Sequence, residues 1–589
     1  MTSCSHGLLL SAALLAASAT LGCGGSDPTD PDPGPGVVNL AFVPALVNLG
    51  ADRSTTVAID NRGTQAVGPI QLISGQILRE GSPVVGAQLQ AVPAEIPTLN
   101  PGASATVALS IILDSAPAAG SYEGSLEARL AGESIAALAI DFSVSPPAPP
   151  GSGRSLQIAG PDVARQGDVV TYSAVVRDST GTEVSDPTLA WSVSPAAAGL
   201  ITGAGGFVGY APGTARIIAS ASDAADTLDM IIEARALSGS FSVIGQGSVS
   251  ARFTSDLWVH DFPALGLFAY TGTWSCRNGR CGDRLHVWHL GSSNSPALVD
   301  SVRVDARVVN DVKVREDGAI AVITHELSND AQNGITLLDL SDPAHPTVIT
   351  RFTTGLESGV HNVWVAGDYV YVVVDGLGNG LRILDISDPA TPRQVAGFYA
   401  GSSFLHDVYV RDGLAFLSHW DAGLVILDVG NGIAGGSPTR PVEVSRIQTA
   451  GGQVHNAWYW PTTGYVFVGE EDFGTPGLMH IVDASDLRKP REVATFRVPG
   501  ATPHNFWLDE ERAILYAAWY ENGIRALDVS GALLGELERQ GREIASVLYA
   551  QGSGCQVSSA TCTWAPQLHS DRVFASDLNS GLWILRPGF

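Results

Sequence analysis

The sequence predicts an all-β protein in which two β-sandwiches precede a seven-bladed β-propeller closed by a three-plus-one strand clasp. The main observation is a short apolar run, most often ending in Asp, which occurs seven times: at 285–289, 335–339, 381–385, 424–428, 479–483, 524–528 and 582–586. Successive runs end 43 to 58 residues apart. A strand-like unit with this period indicates a radial or stacked repeat, because one unit alone cannot bury its apolar faces. A hydrophobic content of 45%, with 66 Gly and 34 Pro, suits turn-rich β structure.

Length and charge limit the class of protein. A chain of 589 residues exceeds what one hydrophobic core normally serves, so we expect several domains. The formal net charge is −26 at pH 7. Binding to nucleic acid or to an anionic membrane surface is not expected, because both depend on clustered Lys and Arg.

The N-terminus predicts export and lipid anchoring. Residues 8–21 form an apolar stretch that is too short to span a bilayer and is typical of a signal peptide. The small residue before Cys23 resembles a bacterial lipoprotein signal, which implies removal of residues 1–22 and lipidation of Cys23. Residues 23–36, rich in Pro, Asp and Gly, would then be a disordered tether. Simple secretion, without a lipid anchor, is the alternative. If Cys23 is lipidated, we expect the protein to contact the membrane only through this anchor, and to lie on the periplasmic side or at the cell surface.

Four further cysteines form two close pairs in the sequence, Cys276 with Cys281 and Cys555 with Cys562. In an exported chain we expect disulfides. Four cysteines allow three pairings, and either two local staples or cross-links between the first and last repeats fit the sequence. The spacings are not those of a zinc site.

Two sandwich domains precede the repeats. At 37–147, alternating apolar and polar runs such as 56–59 and 70–73 are separated by turn signals, which predicts an Ig-like β-sandwich. The Pro-rich segment 146–153 is a linker. Residues 154–236, with the central segment 189–193 and its Trp191, resemble the bacterial Ig-like domains of group 2. That resemblance implies a spacer or adhesive module with Trp191 in its core.

The third region, 237–589, is the predicted propeller. A full unit at 361–399 holds four strands of five or six residues separated by turns, which is the content of one blade. The last unit stops after its third strand, whereas the region opens with an extra strand at 240–244 that matches a fourth strand. The opening strand is therefore expected to complete the last blade and to remove two sheet edges.

The segments 381–389 and 335–343 resemble the LVIVD repeat family, and 424–429 and 479–486 match it less completely. The resemblance covers about 350 residues. It implies a bacterial cell-surface propeller and supplies almost no chemistry, since a fold does not define a function.

A polar pair at the start of each first strand predicts a ring at one mouth of the central channel. The pairs are His260-Asp261, Asn310-Asp311, His361-Asn362, His406-Asp407, His455-Asn456 and His504-Asn505, with Gln567 or His569 in the seventh repeat. The turn between the second and third strands reaches the same face, where His325, His419, Glu470 and Trp519 depart from the repeat. We expect the first histidines of five pairs, together with these four turn residues, to contact a ligand at the channel mouth. The nine residues are His260, His361, His406, His455, His504, His325, His419, Glu470 and Trp519. Of these, His361, His455 and His504 are candidate ligands of a divalent metal.

Three interpretations of this ring remain open. A polar residue in nearly every repeat is what a structural role in holding neighbouring blades together would produce. A ligand or metal pocket is the second interpretation, and catalysis is the third. Known catalytic signatures such as HExxH, GxSxG and the P-loop are absent. The adjacent Glu470 and Glu471 would point apart in a strand, so they are poor candidates for a paired acid and base.

The predicted function is that of a monomeric surface lipoprotein whose propeller binds a protein or glycan partner, with the Ig-like domains as spacers and no cofactor. The alternative is a metal-dependent enzyme that uses the histidine ring. A propeller that serves only as an assembly scaffold is the third possibility.

Overall fold

The computed structural model describes residues 38–43, 46–49, 53–63, 65–79, 82–113, 120–130, 132–144, 153–222, 224–291, 294–376, 378–401, 403–449, 451–473, 476–550, 552–557 and 560–589. The predicted signal peptide, the tether and Cys23 lie outside these residues. Within them, regular structure is all strand except for two short 3-10 helices, Ala196–Ala198 and Leu537–Arg539. The all-β prediction is confirmed.

Residues 38–144 form two sheets around one hydrophobic core, a unit that we call sandwich 1. Its strands are β1 (Leu40–Val43), β2 (Leu46–Leu49), β3 (Ser54–Asn61), β4 (Ile70–Ser74), β5 (Leu78–Arg79), β6 (Ser82–Pro83), β7 (Ala87–Val92), β8 (Glu95–Ile96), β9 (Ser104–Leu113), β10 (Gly120–Leu130) and β11 (Glu133–Val144). The sheet orders are β1-β3-β9-β7 and β2-β11-β10-β4-β8. Alternating residues such as Ile59 and Leu126 are fully buried between the sheets.

Residues 153–236 form a second unit, sandwich 2. Its strands are β12 (Ser155–Ala159), β13 (Val163–Arg165), β14 (Val169–Thr171), β15 (Ser173–Arg177), β16 (Ala190–Ser194), β17 (Gly199–Ile201), β18 (Gly206–Gly209), β19 (Gly213–Ala221) and β20 (Ala224–Glu233). The largest sheet has the order β13-β20-β19-β16. Trp191 on β16 is partly buried and packs against the core that contains Tyr172 and Phe207.

The remaining strands form the propeller region, in sheets that we number 1 to 7 in chain order. After β21 (Phe241–Ser248), sheet 1 contains β22 (Phe253–Phe262), β23 (Gly266–Trp274), β26 (Arg284–His289) and β27 (Ala297–Arg303), with the hairpin β24 (Cys276–Arg277) and β25 (Arg280–Cys281) between its second and third strands. Sheet 2 contains β28 (Val312–Val314), β29 (Ile320–His325), β30 (Gly334–Asp339) and β31 (Thr347–Phe352). Sheet 3 contains β32 (Val360–Ala366), β33 (Tyr369–Val374), β34 (Leu381–Asp385) and β35 (Arg393–Phe398).

The later sheets repeat this order. Sheet 4 contains β36 (Asp407–Arg411), β37 (Leu414–His419), β38 (Gly423–Asp428) and β39 (Val442–Ile447). Sheet 5 contains β40 (Val454–Trp460), β41 (Tyr465–Glu470), β42 (Met479–Asp483) and β43 (Arg491–Phe496), to which β47 (Gly535–Glu536) adds in parallel. Sheet 6 contains β44 (Phe506–Asp509), β45 (Ile514–Ala518), β46 (Ile524–Asp528) and β48 (Glu543–Val547). After the pair β49 (Gly552–Ser553) and β50 (Ala560–Thr561), sheet 7 contains β51 (Thr563–His569), β52 (Arg572–Asp577) and β53 (Gly581–Pro587).

Consecutive sheets pack face to face, as the apolar runs predicted. Tyr371 and Val373 of sheet 3 share one core with Leu417 and Val425 of sheet 4. The strand β33 buries apolar side chains on both faces, because it lies between two neighbouring sheets. The first strand of each sheet contributes to the wall of a central channel. The prediction of a β-propeller is confirmed.

The strand β21 pairs antiparallel with β53, so the start of the propeller region becomes the outer strand of sheet 7. Two glycines allow this close approach: a Cβ atom on Gly245 would lie 1.8 Å from the carbonyl oxygen of Asn294, and one on Gly247 would lie 2.6 Å from the ring of Trp288. Sheets 1 and 7 also share a core.

Two buried arginines join sandwich 2 to the end of β46 in sheet 6 and to the 529–542 segment that follows it. Arg235, with a side chain 1% exposed, donates to Asp528 and, at 2.8 Å, to Asp168 of sandwich 2. Arg542 donates to the carbonyl oxygen of Gly167 at 2.5 Å and to that of Ser530 at 3.0 Å. Because these contacts are buried and charge-assisted, sandwich 2 is docked on the propeller and is not a freely hinged spacer.

Candidate functional site

Four histidines form an arc at one mouth of the channel. His361, His406, His455 and His504 stand at the starts of the first strands of sheets 3 to 6. Their ring centroids are separated by 4.4, 4.2 and 4.2 Å along the arc. The register shifts at His361 and at His455, where one extra residue is inserted into the first strand. Such a bulge redirects a side chain, here toward the mouth of the channel.

Hydrogen bonds at the arc tie each of sheets 4, 5 and 6 to the sheet that follows it. His406 Nδ1 lies 3.2 Å from the carbonyl oxygen of His455, and Asn456 Nδ2 donates to that of His504 at 3.0 Å. His504 Nδ1 in turn contacts the carbonyl oxygen of Trp564. The arc therefore fixes the register between neighbouring sheets, which is the structural role that the sequence also allowed.

The predicted first and seventh members of the ring are wrong. His260 lies near the far end of β22, opposite Phe268, and contacts Phe262 at a centroid distance of 4.8 Å. Gln567 instead accepts from the amide of Val259 and donates to its carbonyl oxygen, which joins sheets 7 and 1 below the mouth. The register shifts of β22 and β51 show the reason: Ser255 and Trp564 occupy the bulge positions. The ring thus contains four histidines and ends at Trp564, 4.6 Å from His504.

The turn residues chosen from the sequence all lie one position too early. His325 is buried beside Thr336 Oγ1, Trp519 is buried in the core between sheets 5 and 6, and His419 is 1% exposed. The mouth is lined instead by the residues that directly follow His325, His419, Glu470 and Trp519 in the sequence. These are Glu326, Trp420, Glu471 and Tyr520. Because side chains alternate between the two faces of a strand, an error of one residue exchanges the face.

His361 forms an ion pair at one end of the arc. Its Nδ1 atom lies 2.9 Å from Glu326 Oε1, and Asp375 completes a close group of three. Burial opposes protonation of this imidazole, but Glu326 outweighs burial and the pKa of His361 rises to about 9. The Nδ1 atom of His361 is therefore held by Glu326.

The middle of the arc holds a second group: His406, His455 and Glu471. The Nε2 atoms of both histidines lie 3.8 Å from Glu471 Oε2. Burial, followed by the charge of nearby histidines, lowers the pKa of His406 and of His455 well below 6.5, so both imidazoles are neutral. Burial raises the pKa of Glu471 to about 7. The three predicted metal ligands His361, His455 and His504 do not form one site, because His361 belongs to the separate group with Glu326.

Glu470 belongs to a buried ion pair behind the mouth. His480 is fully buried, and its Nε2 and Nδ1 atoms lie 2.8 Å from Glu470 and 2.6 Å from Glu492. Burial disfavours the imidazolium, but the two carboxylates outweigh it and raise the pKa of His480 from 6.5 to about 9. This site stabilises the fold and does not face the channel.

The pH dependence of stability should report on His480. Its folded pKa is raised, so its contribution is fully present below pH 6.5 and is lost as the pH rises through about 9. The maximum contribution is roughly 3 kcal/mol, because one pKa unit corresponds to about 1.4 kcal/mol. Urea unfolding between pH 6.5 and 10 should show a steeper loss for the wild type than for His480→Gln. Parallel curves for the two proteins would contradict this assignment.

Two further rings line the channel below the histidines. The predicted polar pairs supply four members of the first ring through their second residues, whereas the sequence interpretation missed Asp256 and the whole second ring. The first ring contains Asp256, Asn362, Asp407, Asn456 and Asn505. The second ring is aromatic, formed by Trp258, Trp364, Tyr409, Trp458 and Trp507, whose neighbouring ring centroids lie 4.7 to 6.1 Å apart in a closed cycle. Between the rings, Lys313 lies 2.7 Å from Asp256 and also contacts Asp311.

The dimensions of this channel decide what can enter it. The cavity between the rings measures about 50 Å³, which is enough for a few water molecules or an ion and too small for a sugar ring or a peptide.

Comparisons with known proteins found one matching repeat family and similar solved structures. The LVIVD repeat matches the chain at residues 329–354, 359–398 and 405–449. Among solved structures, the β-propeller domain of Cps50 (Swd1) from Myceliophteria thermophila is similar, with 12% identity and a TM-score of 0.39, and the match covers 58% of this chain and 98% of that domain. No protein of curated function matches the chain.

Both cysteine pairs form local disulfides, Cys276 with Cys281 and Cys555 with Cys562. The cross-linked alternative is therefore wrong. The two disulfides indicate an extracellular or exported protein. In the part of the chain that the structure describes, no helix is long and apolar enough to cross a membrane.

Proposed function

We propose that this chain, with its LVIVD repeats, is an exported surface lipoprotein, anchored through Cys23, whose propeller binds a protein or glycan partner. In this proposal sheets 1 to 7 are the seven blades of one ring, and the pairing of β21 with β53 is its three-plus-one clasp. Residues 37–147 and 154–236 are two Ig-like domains that carry the propeller. The order of the paired strands and the shared core of sheets 1 and 7 support the closed ring.

The position of the two disulfides is the observation that carries the proposal. The 276–281 hairpin of sheet 1 and the 555–562 loop before sheet 7 both lie on the face of the histidine mouth. Asn579, in the turn between β52 and β53, links the two regions: its carbonyl oxygen accepts from Arg277 and its side-chain amide donates to the carbonyl oxygen of Ala560. Stapled loops lose less conformational entropy when they bind, so this pair of loops is a preorganised surface for a partner.

The charge of this surface points to an acidic partner. Sheet 1 carries a cluster of arginines on the same rim: Arg252, Arg277, Arg280, Arg284, Arg303 and Arg307. Three of them, Arg252, Arg284 and Arg303, share Asp283 at 2.9 to 3.5 Å. Arg280 and Arg307 are exposed. A basic rim on a chain of net charge −26 favours acidic groups over neutral ones and steers their approach.

Binding of defined polyanions tests this surface. The full-length protein in mild detergent should bind immobilised dextran sulfate or poly-L-glutamate, with an affinity that falls as salt rises, and should not bind neutral dextran. Replacing Arg280 and Arg307 by Glu should weaken binding at least about tenfold, because attraction becomes repulsion. Whichever probe binds more tightly distinguishes a glycan from a protein partner.

A matched control uses Lys489→Glu, since Lys489 is exposed in a turn on the opposite face of the propeller. This variant changes the net charge by two, whereas the double arginine variant changes it by four. Its binding should stay within about twofold of the wild type. A loss of affinity in both variants that simply follows their change in net charge would contradict the proposed surface. Binding of the wild type to neutral dextran would contradict it as well.

A further inference from the structure

We propose that His406, His455 and Glu471 form a binding site for a divalent transition-metal ion of the Zn²⁺ type at the mouth of the channel. The ligands would be the two Nε2 atoms and Glu471 Oε2. This site does not depend on the arginine rim, and it involves a different set of residues from the partner surface.

The distances fit such an ion after small movements. All three candidate donor atoms lie within 4.8 Å of one another, and each Nε2 lies 3.8 Å from the carboxylate oxygen. Zinc binds imidazole nitrogen and carboxylate oxygen at about 2.0–2.2 Å, so donors at tetrahedral angles are about 3.4 Å apart. The imidazole–carboxylate contacts therefore need to shorten by only a few tenths of an ångström.

In His406 and Glu471, the polar atom that would not bind the metal already has a hydrogen-bond partner in the protein. His406 Nδ1 faces the carbonyl oxygen of His455, which makes Nδ1 the protonated nitrogen and leaves the lone pair on Nε2. The hydroxyl of Tyr520 donates to Glu471 Oε1 and leaves Oε2 free. Partners of this kind orient metal ligands and fix the tautomer of histidine.

The side chains of the three ligands are buried, and the turn that carries Glu471 is tied to its neighbour. His406, His455 and Glu471 are 8%, 3% and 6% exposed. The amide of Glu471 donates to the carbonyl oxygen of Gln453 at 3.0 Å, which ties the turn after β41 to the loop before β40.

The composition of the site decides the class of ion. Two imidazoles with one carboxylate suit zinc and its first-row neighbours, whereas calcium and magnesium prefer oxygen ligands throughout. Three protein ligands leave at least one position for water or another small ligand. The group of Glu326, His361 and Asp375 is the weaker candidate, since it contains one imidazole and the Nδ1 atom of that imidazole already pairs with Glu326 at 2.9 Å.

Metal titration of the full-length protein tests the proposal. Protein purified without a histidine tag, stripped with a chelator and titrated calorimetrically with Zn²⁺ should bind one ion per chain. The Glu471→Gln variant should lose about 100-fold in affinity, and Tyr520→Phe about tenfold, because Tyr520 only orients the ligand. Titration with Co²⁺ should give a visible absorption band in the wild type that Glu471→Gln lacks.

His345→Gln is the matched control, because its side chain is 62% exposed and remote from the mouth. Its affinity for Zn²⁺ should equal that of the wild type. A wild-type protein that binds no Zn²⁺, or a folded Glu471→Gln variant with unchanged affinity, would overturn the proposal. If Glu471→Gln fails to fold, an unchanged affinity of Tyr520→Phe together with no rise in wild-type melting temperature on adding Zn²⁺ would do the same. Binding of the wild type to dextran sulfate should be the same with and without chelator, because the metal site and the arginine rim are separate. The two proposals can therefore fail independently.

Discussion

Replacing Lys313 by methionine is expected to lower the free energy of unfolding by about 3–5 kcal/mol, which is the usual cost of leaving a buried charge without its partner. Lys313 lies 2.7 Å from Asp256, contacts Asp311 as well, and has a side chain that is 9% exposed. Burial opposes its charge, but the two carboxylates outweigh burial and raise the pKa of Lys313. Without the ammonium group, two buried carboxylates lie side by side between sheets 1 and 2. Urea unfolding at pH 7 measures the loss.

The same variant should become less stable as the pH rises, because one of the two carboxylates must take up a proton in the folded state. The double variant Lys313→Met with Asp311→Asn removes that charge. It should recover part of the lost stability, although the amides of Val312 and Val363 then lose a charged acceptor. A loss below about 1 kcal/mol for Lys313→Met would show that water reaches the carboxylates and screens them.

Replacing Arg542 by alanine is the second change with a large expected effect, again about 3–5 kcal/mol. The side chain is almost fully buried and donates to four backbone carbonyl oxygens, those of Gly167, Asp528, Ser530 and Ala532. Burial lowers its pKa to about 10, so it remains charged at neutral pH. Alanine would leave these oxygens without donors at the junction of two domains.

We therefore expect Arg542→Ala to separate the unfolding of sandwich 2 from that of the propeller. Calorimetry should resolve an additional transition, whereas domains with a tight interface tend to unfold together. Arg393→Ala is the control: this arginine has a side chain 71% exposed and pairs with Asp385 on the surface, so its loss should cost less than about 1 kcal/mol. A single unshifted transition in Arg542→Ala would contradict the role of this residue in docking.

Much of the fold could be predicted because the propeller repeats a local pattern. The apolar runs correspond to the third strands β26, β30, β34, β38, β42, β46 and β53, each within a residue or two of its observed bounds. The contact of the 529–542 segment with sandwich 2 could not be predicted, since Arg542 becomes informative only when the distant Gly167 is placed beside it.

The site was predicted only in part, for a reason of register. His260-Asp261 imitates the polar pair of the other repeats, but a longer pattern identifies the true position: a polar residue, then Asp or Asn, an apolar residue and an aromatic one. The segments 361–364, 406–409, 455–458 and 504–507 follow that pattern, as does 255–258 in the first repeat. The aromatic residue of this pattern forms the second ring of the channel. Reading four positions instead of two would have placed Ser255 correctly and found the aromatic ring.

The pairing of β21 with β53 has a consequence for how the chain acquires its structure. Each of sheets 1 to 6 forms mainly from neighbouring residues, but this pair joins stretches more than 330 residues apart. Contacts at such separation form late and slow the search for the native state. We therefore expect β21 to remain unpaired while sheets 1 to 6 fold. Its sequence, FSVIGQGS, carries two glycines that weaken strand formation. Gly245 and Gly247, which allow the close packing of β21 in sheet 7, should therefore also reduce the tendency of the unpaired strand to pair with another molecule.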